Sequence, residues 1–194
     1  PRRAHGSQTM SLLEQIESKA FLGEEFLTWL LWRSETRSAM IGVGDIEVHF
    51  GGTILLAAPF GEAEEVTLKG DSPAEAPELL ATLRQGKLVR RAQTRWVIEG
   101  IEWHVTVQGQ TLALSGLKLP LRGGALDAAM IDRRLELLDG FGEAFDRVYE
   151  AFLEIRLSAA GWKKESEALR HWIAGGAEPS PLPEIVEITD DGES

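Results

Sequence analysis

The chain of 194 residues has no cysteine. Disulfides and thiolate metal sites are therefore excluded, and an intracellular setting fits that absence. Long apolar runs are missing as well. The longest approach, Phe26 to Trp32, is interrupted by Thr28 and closed by Arg33, far short of the ~20 residues a spanning helix needs. The first ten residues, "PRRAHGSQTM", contain two arginines but no apolar stretch after them, so they do not read as a signal peptide. Positive charge is also scarce: 20 Lys and Arg face 31 Asp and Glu, a formal net charge of -11. Taken whole, that balance argues against a nucleic-acid partner.

The distribution of charge weakens that argument. After Gly176 the segment "AEPSPLPEIVEITDDGES" carries Glu178, Glu184, Glu187, Asp190, Asp191 and Glu193, three prolines, and no Lys or Arg. It reads as an acidic flexible tail. The opposite extreme is "GKLVRRAQTRW", Gly86 to Trp96, which has Lys87, Arg90, Arg91 and Arg95 and no acid. The expected organisation is a disordered tail or vector-derived remnant over 1–9, a single domain over 10–175, and the acidic tail over 176–194.

Hydrophobic periodicity runs helix, sheet, helix. Ser11 to Phe21 has the spacing of a short amphipathic helix, and Gly23 is expected to interrupt it. A second helix then runs to about Ala39, with Leu22, Phe26, Trp29 and Leu30 as one stripe and Leu27, Leu31 and Trp32 widening it. So broad a face implies burial against more than one neighbour. Past Met40 the period becomes two. "DIEVHF" alternates, Gly51 and Gly52 suit a tight hairpin turn, and "TILLAAP" returns as the next strand. A short strand "EEVTLKG" follows, then a connecting helix from "DSPAEAPELLATLRQG", capped by Ser72 with Pro73 at its first position. Lys87 to Glu99, "IEWHVTV" and "TLALSGLKLP" complete an antiparallel meander. Two helices, Ala125 to Asp139 and Gly140 to Ala159, with a bend at Gly140 and Gly142, and a last one from Gly161, close the chain. The predicted class is α+β, an antiparallel sheet of five to six strands flanked by N-terminal and C-terminal helices.

No stretch carries recognisable catalytic chemistry. Lys87 follows a glycine, but Leu88 replaces the Ser or Thr of a phosphate-binding loop and Ala81 stands where its first glycine belongs. "GVGDIE" has Glu47 in place of the third glycine of a dinucleotide fingerprint. His5, His49, His104 and His171 lack paired ligand spacing, and the pairs Asp127 with Asp132 and Glu143 with Asp146 read as solvated helix faces, so neither metal nor cofactor is expected. The basic strand is more informative. Alternation places Lys87, Val89, Arg91, Gln93, Arg95 and Val97 on one face, with Leu88, Arg90, Ala92, Thr94, Trp96 and Ile98 on the other. At ~3.3 Å per residue, Lys87, Arg91 and Arg95 stand roughly 13 Å apart in succession, about two phosphate steps of a DNA strand. Such cations would meet a backbone without reading bases. The alternative, a solvated face whose arginines pair with Glu99 and Glu102, stays open.

The order of "EFLTWLLWRSE", a hairpin region, "LRQGKLVRRAQTRW", a strand ending at "LSGLKLP", and a helical segment with Asp132 and Phe141 resembles the C-terminal part of the RdgC family, the bacterial recombination-associated proteins. The likeness spans about Phe21 to Ile173 and lacks the family's N-terminal portion, which helps close a ring around DNA. The resemblance implies a non-enzymatic protein that binds double-stranded DNA with little sequence preference, forms a homodimer, acts beside recombination proteins, and sits in the cytoplasm on the nucleoid. It makes Lys87, Arg91 and Arg95 the leading phosphate contacts, with Arg33, Arg37, Lys118 and Arg122 as secondary ones. Two function classes remain: sequence-independent DNA binding in recombination or replication, and a protein interaction or oligomerisation module whose acidic tail gives solubility or competes for a basic site.

Overall fold

The computed structural model describes residues 20–37, 39–58, 64–119 and 128–175. The expectations for 1–19 and 176–194, and for Arg122, lie outside the described residues. The elements are α1 (Ala20–Thr36), β1 (Ile46–Ala57), β2 (Val66–Gly70), a 3-10 turn (Pro73–Glu75), α2 (Pro77–Arg84), β3 (Leu88–Ile98), β4 (Ile101–Gln108), β5 (Leu114–Lys118), α3 (Ala128–Leu157) and α4 (Ala159–Ile173). The five strands form one antiparallel sheet in the order β2-β1-β3-β4-β5. The fold is α+β, and no helix among the described residues is long and apolar enough to cross a membrane.

Helices cover one face of the sheet. Phe26, Leu27, Trp29, Leu30, Leu31 and Trp32 of α1 are all buried, so the wide apolar face finds the several neighbours that its breadth requires. Phe26 meets Phe145, Tyr149 and Phe152 of α3, with ring centroids 5.1 to 5.8 Å apart. Trp96 of β3 and Trp103 of β4 meet Phe141 at 5.6 and 5.3 Å. Edge and tilted contacts of this kind each add about 0.5–1.5 kcal/mol beyond the area they bury.

Gly23 does not interrupt a helix. It lies inside α1, where a Cβ would collide with the carbonyl oxygen of Gly109. Here glycine permits close approach of helix and sheet rather than ending the helix.

The glycines at 51 and 52 do not turn a hairpin either. β1 runs straight through them for 12 residues. Between Phe50, opposite Thr94, and Ile54, opposite Ala92, β1 advances four residues while β3 advances two, so the pair forms a bulge. Only Gly52 takes a positive φ, +69°, whereas the hairpin turns that match strand twist need one at the first central residue. Both halves of β1 therefore pair with β3, giving five strands.

The bend expected at Gly140 and Gly142 is also absent: α3 is continuous over 30 residues. Leu137, Phe141, Ala144, Phe145, Val148 and Phe152 make one buried stripe across the glycines, which offsets their cost of about 1 kcal/mol each. Helix and chain direction break instead at Ser158, whose side chain accepts from the Gly161 amide. In the connecting segment Ser72 makes no side-chain cap; the short turn after it stops at Ala76, and α2 starts afresh with Pro77.

Candidate nucleic-acid interface

A second bulge decides where the basic residues of β3 go. Leu55 lies opposite Arg91, but its neighbour Leu56 lies opposite Val89, so Arg90 is the extra residue. Adding one residue reverses the in and out sense of everything before it. Val89 is consequently buried on the same side as Ala92, Thr94 and Trp96. The inserted turn is held from α1. Thr28 donates to the Glu24 carbonyl at 2.8 Å and accepts the Val89 amide at 2.9 Å, replacing the ladder bond the bulge removes. Arg90 reaches back to the same helix, donating from Nε to Glu24 Oε1 at 2.9 Å and from Nη2 to the Ala58 carbonyl at 3.0 Å. Burial pushes the Glu24 carboxyl above its usual range, against the lowering effect of Arg90.

Lys87 is therefore separated from Arg91 and Arg95. Its side chain is 8% exposed and its Nζ lies 3.5 Å from Glu64. The shared face expected for Lys87, Arg91 and Arg95 is corrected to Arg91 and Arg95 alone. Arg33 also leaves the set. Its side chain is 8% exposed, its guanidinium stacks on Trp29 and Trp32 at 5.2 and 5.4 Å, and it pairs with Glu165 of α4 at 2.7 Å. Trp29 Nε1 donates to the same carboxylate oxygen at 3.1 Å. This cluster ties α1 to α4 inside the fold. Arg37 ends up exposed after α1, beside Gly42.

Arg91, Arg95 and Lys118 do come together on the sheet face turned away from the helices. Cross-strand register aligns His49 of β1, Arg95 of β3, His104 of β4 and Lys118 of β5 in one row. With strands ~4.8 Å apart, the row is roughly 14 Å long. Gln93 beside Thr106 makes the next row, and Arg91 beside Gln108 the one after. Two carboxylates share the face. Glu102 accepts from Arg95 at 3.1 Å and bonds His104 at 2.8 Å, and both contacts hold its carboxyl below the usual range. Glu47 lies 3.4 Å from His49. The pairing of Arg95 with Glu102 is thus present, while among the described residues Arg91 and Lys118 have no ion partner.

The four residues of the row are among those lining a groove of about 750 Å³. The same lining includes Glu35, Asp71 and Glu75, from the end of α1 and the loop around the 3-10 turn. Glu35 keeps contact with solvent there, yet desolvation of its carboxyl, with repulsion from Glu75 second, raises its pKa.

His49 and His104 are the members that residue-by-residue reading missed. The alternation in "DIEVHF" and "IEWHVTV" already sets both outward, but only the strand order brings them beside Arg95. No group of three or more His, Asp or Glu among the described residues could hold a metal ion. Set against models of protein families, curated proteins and solved structures, the chain matches none of them.

Proposed function

We propose that the chain is a non-enzymatic, sequence-independent DNA-binding protein of recombination or replication, which meets the phosphate backbone of duplex DNA with the open face of its sheet. The observation that carries the reading is the uncovered row His49, Arg95, His104 and Lys118 with Arg91 nearby. Arg91 stands roughly 13 Å from Arg95 along β3, and Lys118 about 10 Å from it across two strands, distances comparable with one to two phosphate steps. The tryptophans of β3 and β4 are buried on the opposite face, so they offer unpaired bases no stacking platform on the open one. Duplex backbone is accordingly the better fit. The likeness of "LRQGKLVRRAQTRW" and "EFLTWLLWRSE" to the RdgC family supports the same partner and a homodimer on the nucleoid.

The test is duplex binding at several salt concentrations, using two duplexes of unrelated sequence. Three phosphate contacts give log K a slope of about -2.7 on log salt, a loss of roughly 40-fold between 50 and 200 mM. Changing Arg91, Arg95 and Lys118 together to Ala removes most of that slope, whereas Lys87→Met leaves it unchanged. Flat isotherms for both duplexes at low salt overturn the proposal.

One observation favours a second reading, a protein interaction or oligomerisation module. Ile131, Leu135 and Leu138 of α3 are 49%, 54% and 39% exposed and lie at the spacing of a single helix face. A strictly monomeric mass by light scattering across a wide concentration range would remove the oligomerisation form of it.

A further inference from the structure

The segments Glu47-Val48-His49 of β1 and Glu102-Trp103-His104 of β4 repeat one pattern, a glutamate two residues before a histidine, on either side of β3. We infer that His49 and His104 make this face a proton-coupled polyanion site, which takes up protons as phosphate oxygens arrive and therefore holds duplex DNA more tightly as pH falls. The inference rests on the DNA-binding reading for its ligand and adds the regulation of the same site.

The repeat is placed by the ladder. Val48 and Trp103 are buried under the helices, so alternation sets the glutamate and histidine of each segment on the open face. Val97 of β3 stands opposite both Glu47 and Glu102, and Arg95 stands opposite both His49 and His104. At ~4.8 Å per strand, the two histidine positions are roughly 10 Å apart with the arginine between them. Nε2 of His49 lies 3.4 Å from Glu47 Oε2, and Nε2 of His104 lies 2.8 Å from Glu102 Oε1.

These contacts fix what each ring can offer. An ionised carboxylate only accepts, so Nε2 is the nitrogen that carries the proton in the neutral ring. Nδ1 is then an acceptor, and it becomes a donor only when the imidazole is protonated. Phosphodiester oxygens are themselves acceptors. They engage Nδ1 only in the charged ring, so binding selects protonation. Imidazole is also the side chain whose ordinary charge change falls between about pH 5 and 8.

The surrounding charges are balanced without a ligand. His49 faces Glu47 on its own strand and Arg95 on β3, and lines the groove together with Glu35, Asp71 and Glu75. His104 faces Glu102, Arg95 and, on β5, Lys118. The carboxylates favour the imidazolium and the cations oppose it, so an added phosphate tips the balance toward charge. In these rows Arg91, Arg95 and Lys118 oppose Glu47 and Glu102, a balance of +1 that protonation of both histidines raises to +3.

The experiment measures duplex binding by the full chain at about pH 6, 7 and 8, for wild type and for the double variant His49→Gln, His104→Gln. Phosphodiesters do not titrate in this range, and the replaced side chains are 36% and 51% exposed, so the variant changes charge without opening the core. Each proton taken up gives as much as tenfold in affinity per pH unit. The wild type is expected to gain at least tenfold from about pH 8 to about pH 6, and the variant less than about threefold. Two added phosphate contacts also steepen the wild-type slope of log K on log salt from about -2.7 toward about -4.5. A flat wild-type profile, or equal gains in both chains, overturns the inference and leaves the DNA-binding reading standing. Absence of duplex binding at every pH removes the DNA-binding reading instead. The coupling is then decided with dextran sulfate, by following the imidazole C2 protons of His49 and His104: titrations moved to higher pH by the polyanion support it, and unmoved ones overturn it.

Discussion

Replacing Glu165 by alanine tests the assignment of Arg33 to the interior. The carboxylate oxygen Oε2 of Glu165 takes three contacts at once: Arg33 Nη2 at 2.7 Å, Arg33 Nε at 3.1 Å and Trp29 Nε1 at 3.1 Å. Arg33 and Glu165 are 8% and 16% exposed, so water cannot fully take over the lost partner. Removing one member of such a pair costs about 3–5 kcal/mol, because the remaining guanidinium stays buried and uncompensated. The residual access to Glu165 places the expected loss near the lower figure. For a chain of this length each kcal/mol lowers Tm by about 2–4 °C, so a fall on the order of 10 °C is predicted. Urea unfolding gives the free energy, and the double variant Arg33→Met, Glu165→Met provides the control. With no charge left to desolvate, the double variant recovers most of the loss. A Glu165→Ala loss below about 1 kcal/mol refutes the reasoning, as does a double variant that is less stable than the single one.

Gly23→Ala is expected to separate α1 from the end of β4, since its Cβ would occupy the position of the Gly109 carbonyl oxygen, which is backbone and cannot swing aside. The structure predicts a loss of about 1–3 kcal/mol, read by urea unfolding, where an alanine in an ordinary helix site would gain about 1. Glu24 predicts a pH effect of definite sign. Burial raises its folded pKa above the usual 4.5, so its contribution favours folding most at pH values below 4.5 and is lost as pH rises through the folded value. Urea midpoints across that range should fall more steeply for the wild type than for Glu24→Gln, and parallel profiles would exclude the effect.

Much of the interior was legible because burial leaves a periodic trace. The stripe from Phe26 to Trp32 marked a helix enclosed by several elements, and the alternation in "DIEVHF" set Ile46, Val48 and Phe50 on one face; all of these are buried. Glycine was less readable. At 51 and 52 it shapes a bulge, at 23 it admits a carbonyl oxygen, and at 140 and 142 it is tolerated in a continuous helix. Each outcome depends on a neighbour distant in the chain: β3 for the first, Gly109 for the second, and the aromatic stripe against the sheet for the third.

The candidate site shows the same limit more sharply. Alternation is reliable only while the ladder is regular, and Arg90 breaks it. Nothing in "GKLVRRAQTRW" marks that residue as extra; the break follows from α1, which offers Thr28 to the Val89 amide and Glu24 to the Arg90 guanidinium. Once those two partners are in place, Lys87 faces inward and Arg91 faces out. The polar row is then assembled across strands, from His49, Arg95, His104 and Lys118, instead of along one strand. A row across strands samples positions ~4.8 Å apart, and a row along a strand samples ~6.6 Å on one face. The cross-strand row packs its side chains more closely, and Glu102, opposite Val97 and two residues along β4 from His104, bonds both Arg95 and His104.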